Sequence, residues 1–533
     1  LGTELPLGLE PAGEGDIDPP EHWIRGMPGA LQERLARLGK DPADPNVVKE
    51  IYKGIFTRVM KTHPLDYYWL WSYEIWSASP DGSGVTDKQI RAIETDITLA
   101  QQAVAELGNP FQIAHAGWIT GTADNPAELE DVFPPEAPFY SQWGDAKGHE
   151  QLSAERVKWP GISLEQDWGL VQPQGGMYAA HEDISKAVEY ECDGSIGNIW
   201  RTRILSPNMH GVKNLHWAYG PTGQTVARDL PADMWQWAED IYLDWASRQF
   251  GPDAGPSIAA ILSELDGDYP TPSGWEDDGP GEILSNAAPW SEVQKQYAFV
   301  AELESLRSRI AGAGNLERFD YWLKSMQSLR LMGQYGCIRY DFERAMHRDD
   351  YTHALRHRIE MARLFERLVT LHVEKATNAS DLGEIIHLEL ATWKQLMMNR
   401  WDAKLAAGLG KPIPAEANPS QDYRGAPLIK VTPARSHVEA GESLVLRVLA
   451  LGVPDPITLR YRVLGEGDYT ALPLTHVSRA VYQVAIPAQS DDFEYYIEGE
   501  TPLAAVRFPA TAPVMNQTVV VIDASETRSN HAD

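Results

Sequence analysis

The chain has 533 residues, 43% hydrophobic and 23% charged, and a formal net charge of −30 at pH 7. That composition supplies enough apolar side chains for large cores, while the acidic excess excludes an electrostatic grip on nucleic acid, whose phosphates it repels. No apolar run reaches the ~18 residues of a membrane span, and the two cysteines, Cys192 and Cys337, stand in unlike contexts that carry neither a disulfide framework nor metal-ligand spacing.

In chain order, short apolar runs alternate with helical stretches over the first 250 residues, the pattern of parallel strands joined by crossover helices. Strands are expected at 1–5, 65–71, 110–118, 137–143, 157–164 and 191–200, and helices near 29–61, 86–107, 124–131 and 174–190. Thr86 offers a start for the helix over Asp87–Leu107, and Asn109-Pro110 a stop. Six such repeats fall two short of a (β/α)8 TIM-type barrel. Leu1-Gly2-Thr3-Glu4-Leu5-Pro6 opens in mid-strand, so the first two strands are expected ahead of residue 1. An open doubly wound sheet is the rival, but no Gly-rich phosphate loop supports it. From residue 228 the pattern turns helical, with amphipathic stretches at Glu292–Ala311, Leu316–Met346 and Tyr351–Thr377. The Pro- and Asn-bearing stretch 412–425 reads as a linker. Beyond it, alternation at Leu428–Val431, Ser443–Ala450, Ile457–Val463, Val481–Ile486, Phe493–Glu498 and Thr518–Ile522 predicts an immunoglobulin-like β-sandwich. The expected fold class is α/β: a partial (β/α)8 barrel over 1–250, a helical extension over 251–411, and a β-sandwich spacer over 426–523.

The chemistry concentrates in the first part. Asp66-Tyr67-Tyr68-Trp69-Leu70-Trp71-Ser72-Tyr73-Glu74-Ile75-Trp76 devotes a strand to rings, whose faces stack on sugars while their N–H and O–H groups bond hydroxyls. In a parallel barrel the catalytic side chains sit at the carboxyl ends of the strands. That walk yields Glu4, then Trp71 and Glu74, then His115 and Trp118, then Trp143, then Glu165 and Asp167, and last Trp200, Arg201 and Arg203. Glycosidic cleavage needs two carboxyl groups. Glu74, set among Trp71, Tyr73 and Trp76, is desolvated toward its protonated form and suits the acid/base. Glu165 suits the nucleophile or base, with Asp167 as the alternative for that role or as a ligand for sugar hydroxyls. Trp71, Trp118, Trp143 and Trp200 would hold the sugar, helped by Glu4 and His115. Arg201 or Arg203 would read an acidic substituent with its planar fork.

Plainer readings stand beside these. Glu74 would bond a neighbouring loop, and Glu165 or Asp167 would cap a helix or pair with Lys158. Both arginines would pair with the many acids of the barrel, and His115 would be a satisfied structural histidine. No cofactor is called for and no metal site is spelled out, although 76 acidic residues leave room for a structural Ca²⁺.

Several of these segments resemble a known group: Leu1–Pro6, Ile51-Tyr52-Lys53-Gly54-Ile55-Phe56-Thr57-Arg58, Asp66–Trp76, Ala116-Gly117-Trp118, Leu164–Asp167, and Cys192-Asp193-Gly194 with Trp200–Leu205. They are similar to bacterial polysaccharide-degrading (β/α)8 glycoside hydrolases of a retaining clan, which carry an α-glucuronidase-like domain ahead of the barrel. The resemblance covers about residues 1–250. It implies an acid/base after the fourth strand and a nucleophile after the seventh, which are Glu74 and Glu165 if two strands precede residue 1. The Asn-Glu pair common at the acid/base in that clan is absent here. The resulting expectation is a secreted or periplasmic glycoside hydrolase of plant or algal polysaccharide, with no nucleic-acid partner, no membrane span and an open oligomeric state. Two rivals are a non-catalytic polysaccharide-binding protein on a degenerate barrel, and a lyase using Tyr68, Tyr73 or His115 as base.

Overall fold

The computed structural model describes residues 2–4, 34–41, 44–61, 65–72, 87–117, 129–139, 152–162, 164–165, 171–197, 199, 201–219, 234–276, 279–432 and 434–522. The protein is mixed α/β with a sheet-rich C-terminal region. Its contacts divide it into two units: Leu1–Leu164 with Gly176–Ile199 and Asn208–Trp237, and Glu165–Gly175 with Trp200–Pro207 and Ala238–Asp533.

The first unit is built on parallel strands. β1 (Gly2–Glu4), β2 (Tyr67–Ser72) and β3 (Gln112–Gly117) are successive parallel neighbours. Phe139 bridges His115 on one side and Lys158 on the other, again in parallel. β4 (Gly161–Ile162), continuing from Lys158, pairs in parallel with β5 (Ile196–Gly197). Six extended segments thus follow one another in chain order. A doubly wound sheet would reverse that order at a switch point, so the winding is single. Among the described residues β5 and β1 do not pair, and the strands form an arc.

The arc is curled. β2 and the Lys158–Ile162 run lie three strand spacings apart, about 14 Å across a flat sheet. Yet the Trp159 ring lies 5.6 Å from that of Trp69 and 5.2 Å from that of Tyr67. These rings, with Ala114 and Ile196, share one cluster on the concave side. The alternate residues, Tyr68 and Leu70, face the other way, as the strand period of two requires. They bury against α1 (Pro45–Met60) and α2 (Asp87–Glu106) in a core with Tyr52, Phe56, Ile97 and Val104. α1 starts where it does because the Asp44 side chain accepts from the Asn46 amide and Pro45 takes the first turn. The outer layer continues with α3 (Met177–Glu189) and α4 (Ser206–Tyr219).

In the second unit, α5 (Gly255–Leu265) leads to an unexpected hairpin, β6 (Ser273–Glu276) with β7 (Gly279–Ile283). The expected helix over 292–311 is broken into Trp290–Val293, the 3₁₀ turn Gln294–Tyr297, α6 (Ala298–Leu306) and a second 3₁₀ turn, Arg307–Arg309. α7 (Ala313–His347) and α8 (Tyr351–Lys375) form a long hairpin, with Asp350 capping α8 through the His353 amide. α9 (Ala379–His387) runs into a π-helix, Leu388–Met398, and then α10 (Asn399–Leu409).

The C-terminal region holds two sheets. β8 (Leu428–Val431), β10 (Leu444–Leu451), β13 (Thr475–Ser478) and β14 (Val481–Ile486) make one, in the order β13-β14-β10-β8. The other runs β12-β11-β15-β17-β9, from β9 (His437–Glu439), β11 (Ile457–Val463), β12 (Thr470–Pro473), β15 (Phe493–Glu500) and β17 (Gln517–Ile522), with β16 (Ala505–Phe508) also paired to β15. The sheets share one core, which includes Leu446, Val448, Leu459, Tyr495, Ile497 and Val519. Pairing is antiparallel except between β17 and β9.

Candidate functional site

The single winding gathers strand ends along one edge. Glu4, the last residue of β1, is in register with Trp71, and Trp71 with Ala116, one residue past His115. Glu4 and Trp71 therefore occupy one row at the carboxyl edge of the arc. Of the remaining sequence candidates, Glu74, Trp118, Trp143, Asp167 and Trp200 lie outside the described residues.

His115 departs from its expected substrate-binding role. It is fully buried, its ring stacked on Phe139 at 4.7 Å and edge-on to Phe133 at 5.4 Å. Its strand neighbour Ala114 belongs to the concave cluster with Trp69, so alternation sends His115 to the helix-facing side. The ring serves packing there.

In the second unit, Arg201 anchors a buried ionic cluster. Its backbone amide donates to Glu165 Oε2 at 2.9 Å and its Nε to Glu165 Oε1 at 2.5 Å. Nη1 donates to Glu384 at 2.7 Å, and Nη2 to the Gln172 carbonyl at 2.7 Å. Glu384 also meets His372 Nδ1 at 3.1 Å and Lys375 Nζ at 3.0 Å. Burial opposes ionisation of Glu384, but Lys375, Arg201 and the His372 bond outweigh it and hold the carboxyl well below its usual range. Burial, aided by Lys375, pushes His372 the other way, toward its neutral form, against the pull of Glu384.

This geometry corrects two expectations. The Glu165 side chain has no exposed surface and both its oxygens accept from Arg201. That is the setting of an anchor, since a nucleophile must present an oxygen to its substrate. Arg201, equally enclosed, has its fork committed to protein acceptors and cannot also read a substrate acid. Arg203 is occupied as well: it grips Glu317 with two bonds of 2.8 Å and lies 4.3 Å over the Tyr321 ring. What Arg201 does is tie Glu165 to the Gln172 carbonyl, closing the base of the segment 165–172. Gln172 is held in turn, its side-chain oxygen accepting from the Ser273 amide and hydroxyl at 3.1 Å each.

Sequence reasoning missed Glu384, His372, Lys375 and Gln172. His372 and Lys375 stand one turn apart on α8, a spacing that places both on one face, but their partner sits on another helix.

A cavity of about 760 Å³ flanks β4, β5, α3 and α4. Ile162, Leu164, Val188, Met209 and Val212 make its wall apolar, and His216, whose pKa burial lowers, bonds Ser195 at 2.8 Å. Its one carboxylate, Asp193, accepts from the Lys158 amide at 2.9 Å, so no carboxylate pair is available there among the described residues. Nor do the described residues include a metal-binding group of three or more His, Cys, Asp or Glu, or a helix long and apolar enough to cross a membrane.

No family model matches the chain, and no curated protein matches it. Among solved structures it is similar to a GH138 enzyme targeting pectin rhamnogalacturonan II, with a TM-score of 0.36 and 9% identity over 86% of this chain and 71% of that one. An engineered protein gives a TM-score of 0.18 and 9% identity over 76% of this chain and 90% of that one.

Proposed function

We propose that the chain is a glycoside hydrolase acting on a plant or algal polysaccharide outside the cytoplasm, with Glu74 as proton donor. The observation that carries this reading is the curled, singly wound parallel sheet. Tyr67, Trp69 and Trp159 line its concave face, and the strand bearing two of those rings runs on in sequence to Glu74. In parallel folds of this kind chemistry collects at the carboxyl ends of strands, the edge where Glu4 and Trp71 stand in one row. Aromatic faces suit sugar rings.

The second carboxylate is assigned to Asp167, the alternative already weighed for that role. Glu165 and Arg201 become positioning residues that fix the base of the segment carrying it. Turnover of pectic, xylan and sulfated algal polysaccharides tests the assignment. Glu74→Gln and Asp167→Asn should each lower kcat by about 10²–10⁴-fold, the range for losing a positioned proton-transfer group. Wild-type rates in both variants would sink the reading.

The enclosure of Glu165 also favours a second reading, a polysaccharide-binding protein without catalysis. It expects the wild type to bind these polymers without turnover, and Glu74→Gln to bind them equally well.

A further inference from the structure

The π-helix Leu388–Met398 is eleven residues long. π geometry mostly occurs as single turns and gathers at functional sites. A π turn takes about one residue more than an α turn, so side chains four and five positions apart fall on one face. Glu389, Trp393, Lys394 and Met398 accordingly line a single cavity. With the about 3.6 residues per turn of an α-helix, Lys394 and Met398 would turn away from Glu389. The wide winding is what builds this wall.

The cavity measures about 710 Å³, inside the ~300–1,000 Å³ of small-molecule sites. Leu390, which is 58% exposed, gives it an apolar side, backed by Trp393, which is buried against Phe365 with centroids 5.0 Å apart. Facing them, the linker contributes Asn418, Ser420, Gln421 and Tyr423. An apolar side set beside amides and hydroxyls matches a sugar ring, whose C–H face lies on apolar side chains while its hydroxyls both donate and accept. Charge selects among sugars. With Asp402 paired to Arg358, Glu366, Glu389 and Asp422 still outnumber Lys394 and Lys430, and Lys430 already donates to the Glu374 carbonyl at 2.8 Å. An anionic chain is disfavoured.

We propose that this cavity is a second carbohydrate site, one that binds a short neutral oligosaccharide. It goes beyond the hydrolase reading and does not depend on it. The test is calorimetry on the full chain carrying Glu74→Gln, with cellohexaose, xylohexaose and hexagalacturonate as probes. At least one neutral hexasaccharide should bind, and the double variant Lys394→Ala/Gln421→Ala, at two exposed positions, should weaken it tenfold or more. Leu390→Ala, at the exposed apolar position, should weaken binding as well. Absence of binding by both neutral probes, binding unchanged in the double variant, or preference for hexagalacturonate overturns the proposal. Turnover by the unsubstituted chain bears on the hydrolase reading alone.

Discussion

Arg201 shows how far a side chain's surroundings decide its use. Removing one partner from a buried ion pair strands the other and costs about 3–5 kcal/mol. Arg201 keeps Glu384 as a partner, so Glu165→Ala should lower the free energy of urea unfolding by about 3 kcal/mol, the low end of that range, whereas Asp167→Asn should lower turnover with a smaller loss of stability. Equal stability losses in both variants would reverse the division of labour between anchor and catalyst. His372 makes a pH prediction. Its folded-state pKa is lowered by burial and by Lys375, while an unfolded histidine takes up its proton near pH 6.5. Stability is then lost as the pH falls below about 6.5 toward the folded value. Glu384, depressed in the fold, adds a loss at lower pH, beginning below the unfolded value of about 4.3. Urea midpoints followed from about pH 8 down to about pH 5 should decline in the wild type and flatten in His372→Gln; an identical slope in both would refute the assignment. Little of this cluster was legible in sequence. Position at strand ends singled out Glu165 and Arg201, and both arginines do pair with acids, but Glu384 and Glu317 lie outside the expected barrel and only Glu165 lies within it. Their partnership is not local, however: 36 residues separate Glu165 from Arg201 and 183 separate Arg201 from Glu384.

Elements were legible where burial imposed a period. β10 alternates buried Leu444, Leu446 and Val448 with exposed Val445 and Arg447, and β11 and β14 match their expected limits. β12 and β13 were missed because strands with almost no buried side chain carry no such alternation. The π-helix was missed because the sequence pattern was matched only to α periodicity, and the break at Gln294–Tyr297 because its residues suit a helix locally. Two glycines in helices separate propensity from packing. A Cβ on Gly336 of α7 would lie 2.3 Å from the Leu284 carbonyl oxygen, whereas Gly383 of α9 has nothing within 4 Å. Gly336→Ala should destabilise by about 1–3 kcal/mol through overpacking, although alanine is the better helix former. Gly383→Ala should stabilise by about 0.5–1 kcal/mol. Denaturant melts of the two variants check this, and a stabilising Gly336→Ala would mean that the close approach to Leu284 is wrong.

At the scale of the whole molecule, the order of the parallel strands was readable because each strand and its helix recur as a unit. The curl was not, since it shows only in contacts between rings three strands apart. The net charge of −30 has a global effect too, because self-repulsion favours expansion. Raising salt from about 0.01 M to about 0.15 M shortens the Debye length from about 30 Å to about 8 Å, so Tm should rise over that interval in a differential scan. A falling Tm would show that attractive pairs outweigh the repulsion. The C-terminal region carries one more consequence. β17 pairs with β9 and also with β15, so early and late segments of this region depend on one another. During synthesis, a ribosome must deliver residues 517–522 before β9 gains its neighbour and Val519 completes the core around Val438. Until then the nascent chain displays the Phe493–Tyr495 end of the β15 flank, a surface that invites pairing with other chains. The pace of translation and the presence of chaperones should accordingly affect the yield of soluble protein.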